Sequence, residues 1–260
     1  MLPDMLRYNK LLALTVLALL ITAGLSACGN GGDMTVATVG KTKISRGTLN
    51  HWMSTVVGGD YNQVVAPKAP LGLVSEPADY SRCVAAAAQI VPKTNGKLKL
   101  NASQIGVKCR QLHRAIKEQA LSYLIGVLWR AEEGVELGQT VSDREVARQL
   151  QQVNYKQFAN PARFRLYLAS RRWSLSDELY LLKRNMLDTK FLARLKQRAE
   201  SLGGGERIMS KLVRENVAKW TARTSCAPGY HAWQCKQYGT SKEASPSASV
   251  LLEHFSAGVG

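Results

Sequence analysis

Aromatic residues are scarce in this chain: Phe, Trp and Tyr make up 7% of 260 residues, and only four of them are Phe. A buried core must therefore rest mainly on Leu, Val, Ile and Ala. Histidine is scarcer still. His51, His113, His231 and His254 lie far apart in sequence, and none has an acid at a recognisable spacing. There is no Cys-x-x-Cys pair, Gly-x-Ser-x-Gly elbow, Walker loop or Gly-x-Gly-x-x-Gly fingerprint, so the usual sequence marks of a zinc centre, a hydrolase or a nucleotide site are missing. Gly203-Gly-Gly205 is followed by Glu206-Arg-Ile instead of Lys-Ser/Thr, which makes it a joint and not a phosphate loop. Glu132-Glu133 and Asp177-Glu178 are neighbours in sequence; adjacent residues point to different sides of a helix and read as solvated faces. The expectation is a chain with no metal, no cofactor and no catalytic residue. Acidic residues are in deficit as well, with 19 Asp plus Glu against 35 Lys plus Arg and a net charge of +16. Such a chain is drawn to polyanions without specifying which one. What is present, 45% hydrophobic and 21% charged residues, excludes collagen-like and wholly disordered classes.

The longest apolar run, Leu11 to Leu25, covers 15 residues, short of the roughly 20 that span a bilayer as a helix. Arg7 and Lys10 precede it and small residues follow, the layout of a secretory signal peptide. The run ends in Leu25-Ser26-Ala27-Cys28, which resembles the bacterial lipobox. The expectation is a signal peptide over 1–27, acylation of Cys28, and a flexible tether over 28–35. The folded part would then be anchored to the cell membrane on its extracytoplasmic side. Oxidising conditions there favour disulfides. With Cys28 lipidated, Cys83, Cys109, Cys226 and Cys235 remain, and four cysteines allow three pairings. Shorter loops cost less to close, so the expected bonds are Cys83–Cys109 and Cys226–Cys235, each stabilising by roughly 3 kcal/mol.

Periodicity describes a mainly α-helical protein with one small hairpin. Val36 to Ser45 alternates apolar and polar residues around Gly40-Lys41, the pattern of a hairpin. Ser45 is placed to cap a helix with Leu49, Trp52, Met53 and Val56 on one face. The stretch 58–76 reads as a loop, and Pro77 suits the first turn of a helix through Cys83 and Ile90. Ser103 is taken to open the longest helix, which reaches about Glu133 before Gly134-Val-Glu-Leu-Gly138 breaks it. Ser142-Asp-Arg-Glu145 is a capping box, with Val146, Leu150 and Val153 behind it. Asn160-Pro161 starts a short helix bearing Phe164, Tyr167 and Leu168. Ser174 or Ser176 caps a Leu-rich helix with Leu175, Leu179, Leu182, Met186, Leu192 and Leu195 inward. A last helix runs from Glu206 to about Thr221. The domain so defined covers 36–222, followed by a disulfide-clipped segment over 223–238 and a Ser/Ala/Gly-rich tail over 239–260 that reads as disordered.

The order of these parts resembles the amino-terminal chaperone domain of the SurA/PrsA foldase family, in its exported lipoprotein members. The residues that carry the likeness are Val36-Ala-Thr-Val-Gly-Lys-Thr-Lys-Ile-Ser45, Ala120-Leu-Ser-Tyr-Leu-Ile125, Val141-Ser-Asp-Arg-Glu-Val146 and Glu178-Leu-Tyr-Leu-Leu-Lys-Arg-Asn-Met-Leu187. Trp220-Thr-Ala-Arg-Thr-Ser-Cys226 and Cys235-Lys-Gln-Tyr238 resemble its closing segment. The family commonly inserts a parvulin prolyl isomerase domain before that segment, but Arg198 and Trp220 are too close here to hold one. The resemblance implies a membrane-anchored holdase that binds unfolded exported polypeptides without ATP, and not an isomerase. It also implies that the carboxy-terminal helix returns to pack near Val36, Ile44 and Trp52. Trp52, Met53, Tyr123, Trp129, Tyr167, Trp173 and Met186 are the candidate client-binding residues. Two other readings stand beside it: a prolyl isomerase with an unrecognised site, and a basic adaptor. Between Arg163 and Arg198 ten Lys plus Arg face three acids, a charge excess suited to anionic wall polymer or lipid headgroups. Nucleic acid is not expected as a partner of an exported chain. An exposed apolar groove would favour the holdase, and a fully packed surface the adaptor.

Overall fold

The computed structural model describes residues 33–59, 73–90, 101–158, 160–171 and 173–238. Cys28, the signal peptide, Pro92, most of the 58–76 loop and the 239–260 tail lie outside the described residues, as does the side chain of Val56. From Thr35 onward the chain forms one compact unit. Its order is β1 (Thr35–Val39), β2 (Thr42–Ser45), α1 (Arg46–Gly59), α2 (Tyr80–Ile90), α3 (Ala102–Glu136), α4 (Asp143–Gln157), α5 (Pro161–Arg171), α6 (Leu175–Ser201), α7 (Glu206–Ala222) and β3 (Thr224–Cys226). The molecule is mainly helical, with a small antiparallel sheet.

The hairpin turns at Gly40-Lys41, and Ser45 caps α1 by accepting from the Thr48 N–H at 3.1 Å. β3, which periodicity did not suggest, pairs antiparallel with β1 to give the order β2-β1-β3. An extra residue at Val36 shifts the β1–β2 register, and the Val36 carbonyl accepts the Ala227 N–H at 2.9 Å. The bulge thus helps tie the amino-terminal strand to the closing segment.

α3 organises the rest. Asn101 and Gln104 form its capping box, and the helix begins at Ala102, one residue before the expected start at Ser103. Its 35 residues extend roughly 52 Å at 1.5 Å per residue. The helix passes through Gly134 to Glu136, so the glycine does not break it as expected; it is needed because the chain folds back so tightly that a Cβ there would lie 2.9 Å from the Gln139 carbonyl oxygen. Pro77 stands three residues before α2 instead of in its first turn. The capping boxes at Ser142/Glu145 and Ser174/Asp177 are present, and Asn160 caps α5 through the Arg163 N–H. Gly203, Gly204 and Gly205 all have positive φ, a run that L side chains resist; this reverses the chain from α6 into α7.

The main core gathers Val36, Val39 and Ile44 of the sheet, Leu49, Trp52 and Met53 of α1, the inward face of α3 from Ile105 to Trp129, and Trp220. Phe191, Leu195 and Ala199 of α6 meet Leu212 and Val213 of α7 in a second cluster. Val141, Val146 and Leu187 form a third, flanked by Leu179, Leu182 and Met186. Leu175, expected inward, is half exposed, because the inward stripe of α6 runs through Leu187, Phe191, Leu195 and Ala199. The expected packing of the last helix needs a similar correction. α7 lies along α6, and it is Trp220 in its final turn, followed by β3, that reaches the main core.

Candidate functional site

The cysteines pair as sequence proximity predicts. Cys83 of α2 joins Cys109 of α3 with Cα atoms 6.0 Å apart, and Cys226 joins Cys235 at 5.7 Å.

The seven candidate binding residues do not share one surface. Trp52, Met53 and Trp129 belong to the core, a correction to their expected role. The Trp129 indole N–H donates to Thr224 Oγ1 at 2.8 Å, and its ring meets Trp233 edge-on. Tyr123 is half-buried, its ring 5.1 Å from Trp52 and covered by the Arg184 guanidinium. Met186 fills the α4–α6 cluster. Tyr167 and Trp173 are brought together, with ring centroids 6.2 Å apart.

Around that pair the structure builds a compact aromatic group. Phe158 packs 5.4 Å from Phe164 and 4.9 Å from Tyr167, and Phe164 stacks on Tyr167. The Arg171 guanidinium sits 5.0 Å from both the Tyr167 and the Trp173 ring, a cation–π arrangement. Burial pushes the Glu178 carboxyl above its ordinary range, offset in part by Arg171. Burial and the nearby Glu178 charge raise Tyr167 as well. Phe164 and Leu168 face inward, while Leu166 on the same helix is 70% exposed and Leu175 is 50% exposed. Arg163 and Arg165 are also exposed. The local density of aromatics between Phe158 and Trp173 is visible in the sequence, whereas Glu178, expected on a solvated face, is partly buried beside it.

This arm is held to α1 by two polar contacts. The Trp173 indole N–H reaches the Thr55 carbonyl at 3.4 Å, and His51 Nε2 meets Asp177 Oδ1 at 2.5 Å. Asp177 is buried and also completes the Ser174 capping box. Desolvation works to raise its pKa, but the bonds from Ser174 and His51 outweigh it and hold the carboxyl below its usual range. The solvated reading of this acid is therefore wrong. Glu133 corrects its own in the same way. It is buried, accepting from the Trp220 indole and from Lys219 Nζ, each at 2.6 Å.

His113 likewise has an acid that sequence spacing hid. Its Nε2 lies 3.0 Å from Glu76 Oε1 and 3.1 Å from the Ser75 carbonyl, while Nδ1 faces the Tyr80 hydroxyl at 3.4 Å. These contacts fasten the segment before α2 onto α3. In the core between α3 and α6, Asp188 bridges Arg130 and Arg184 at 3.1 Å each. Burial pushes Arg130 down to about 10 and raises Asp188. These clusters fasten elements together and present no nucleophile to solvent.

Among the described residues, no three His, Cys, Asp or Glu side chains are grouped to hold a metal, and no helix is long and apolar enough to cross a membrane. A shallow depression of about 570 Å³ is lined by Gln139, Thr140, Lys190, Arg194 and Gln197. Lys190 in it already bonds Thr140 and Glu145. No known protein family, curated protein or solved structure matches this chain.

Proposed function

We propose that this protein is a membrane-anchored extracytoplasmic holdase with a SurA-N-like helical fold, and that the α5 arm makes its contact with unfolded exported polypeptides. The observation that carries this reading is the Tyr167–Trp173 aromatic group with Leu166 and Leu175 exposed beside it and arginines at its rim. Apolar side chains rimmed by charge bind extended chains through weak, multiple contacts, and no nucleotide is needed to release them. Disulfide pairing of all four described cysteines fits an oxidising compartment, and Cys28 supplies the anchor. Among the described residues, none is arranged in a way that supports the isomerase reading. The arm's cationic rim favours client segments in which acidic residues neighbour apolar ones.

The test is suppression of aggregation of a reduced, denatured client by purified protein. Leu166→Asp, at an exposed position, should leave the melting temperature unchanged and lower protection severalfold. Equal protection by the variant would remove α5 as the contact, and faster cis–trans exchange of an Xaa-Pro peptide in the presence of the protein would restore the isomerase.

A further inference from the structure

α5 stands apart from the cores beside it. Phe164 and Leu168 are buried, yet among the described residues they join none of the three apolar clusters. The element that α5 packs against most is α1. A helix that shares so little apolar packing with the body opens at lower free energy than the body does. Trp173, in the short connection from α5 to α6, is likewise outside those clusters and is partly exposed.

The main chain and the side chain of Trp173 are held separately. Its backbone N–H donates to the Leu168 carbonyl at 2.9 Å, which fastens the connection to the end of α5. The indole is lodged between α5 and α1 by contacts of another kind. Its N–H points to the Thr55 carbonyl at 3.4 Å, its ring stands edge-on to Tyr167, and the Arg171 guanidinium lies 5.0 Å from its centroid. That N–H···O distance exceeds the roughly 2.7–3.2 Å of well-made bonds, so the side chain is weakly fixed. Together these contacts describe what fits there. The carbonyl asks for a ring that carries a donor, the guanidinium for an electron-rich face, and Tyr167 for an aromatic partner. A Trp or Tyr side chain meets every demand; Phe lacks the donor and Leu lacks the ring.

We infer that Trp173 is an internal stand-in for a client residue: its site takes the indole of a Trp, or the phenol of a Tyr, from an unfolded polypeptide when Trp173 turns out of it. The inference rests on α5 being the client contact and adds which side chain α5 selects. Leu166 and Leu175, close in sequence to Tyr167 and Trp173, remain in solvent for the apolar residues on either side of the anchor. A site that its own chain fills binds a second ring less tightly, in proportion to the fraction of time it stands vacant. The built-in competitor keeps each contact weak, and the return of Trp173 to its place releases the client without a nucleotide.

Trp173→Ala vacates the site and leaves the main-chain bond to Leu168 in place. NMR titration of the purified protein with N-acetyl-tryptophanamide reads the site directly, with circular dichroism confirming that the variant is folded. The variant should bind this probe about tenfold more tightly than the intact protein, whose own indole competes for the site. N-acetyl-phenylalaninamide, which lacks the side-chain donor, should bind the variant severalfold less tightly. Adding Arg171→Gln to Trp173→Ala should weaken the tryptophan probe about threefold, as loss of one cation–π contact predicts. If Trp173→Ala loosens α5, the tryptophan probe should slow its amide exchange again, and the phenylalanine probe should do so less. Equal affinity of variant and intact protein, or no protection of α5 by the probe, would overturn the proposal. Equal affinity for the two probes would overturn the selection of a donor-bearing ring. The titration uses no client, so probe binding together with undiminished client protection by Leu166→Asp would keep the site and end the reading of α5 as the client contact.

Discussion

In the body of the molecule, β1, α3 and the closing segment are held by apolar packing and by clamps of other kinds: Trp220 on Glu133, Trp129 on Thr224, and a disulfide at each end. The α5 arm rests on α1 through the Trp173–Thr55 and His51–Asp177 contacts and keeps part of its apolar surface in solvent. The body joins segments about ninety residues apart, which only dense packing with satisfied polar groups can compensate for in lost chain entropy. The arm's two contacts to α1 span even longer separations, 118 and 126 residues, but with part of its apolar surface left in solvent it is the cheaper of the two to open. Surfaces that must yield to a partner come from such weakly held elements.

The sharpest test of this contrast sets one residue of the body against one of the arm. Trp220→Ala should cost about 3–5 kcal/mol, the range for emptying a large aromatic site, and should leave the Glu133 carboxylate buried beneath it. The whole protein should melt earlier in one transition. Phe164→Ala, also a buried ring, should instead loosen α5 locally, raising its amide exchange while the main transition stays in place. Equal shifts of the main transition in both variants would show that arm and body unfold together.

A smaller effect is expected from the disulfides. Cys83→Ala/Cys109→Ala opens a bond that spans 26 residues and should cost roughly 3 kcal/mol; Cys226→Ala/Cys235→Ala opens one that spans 9 and should cost less, both on the loop-entropy scale. Denaturant midpoints under non-reducing conditions give the order. The reverse order would mean that the clip on β3 does more than restrict the unfolded chain.

The smallest effect is on pH. Hydrogen bonds from Ser142, with help from Lys190, hold Glu145 down at about 2, and Asp177 is also below its ordinary range. A carboxyl whose folded pKa is depressed stabilises the fold above its unfolded value and loses that contribution as pH falls through the folded one. Acidification from about pH 4.5 toward 2 should therefore fray the first turns of α4 and α6, seen as faster amide exchange there. Unchanged exchange at those amides would mean that the caps do not depend on the carboxylates.

Much of the arm was legible because its signals are local. Ser142 and Glu145, Ser174 and Asp177, and Asn160 with Pro161 act within three residues of one another, and each cap stands where its spacing places it. The same local view misjudged what those residues do beyond their own helix. Asp177 looks solvated from its sequence neighbours because its partner His51 lies 126 residues earlier. Trp52 and Trp129 are buried although their stripes suggest binding, because an apolar stripe does not state what covers it.

The sequence by itself determined the helices, the hairpin at Gly40, the two cysteine pairings and the reversal at Gly203–Gly205. Each follows from periodicity, from capping or turn chemistry within a few residues, or from loop-closure entropy. Only the tertiary structure decided that β3 completes the sheet beside β1, that α7 lies along α6, that Glu133 is buried under Trp220, and which aromatics remain in reach of solvent. Those outcomes depend on pairings between distant segments, where the free energy comes from burial and from satisfying polar groups, and three residues such as Thr224-Ser-Cys226 carry no local mark of the strand they will join.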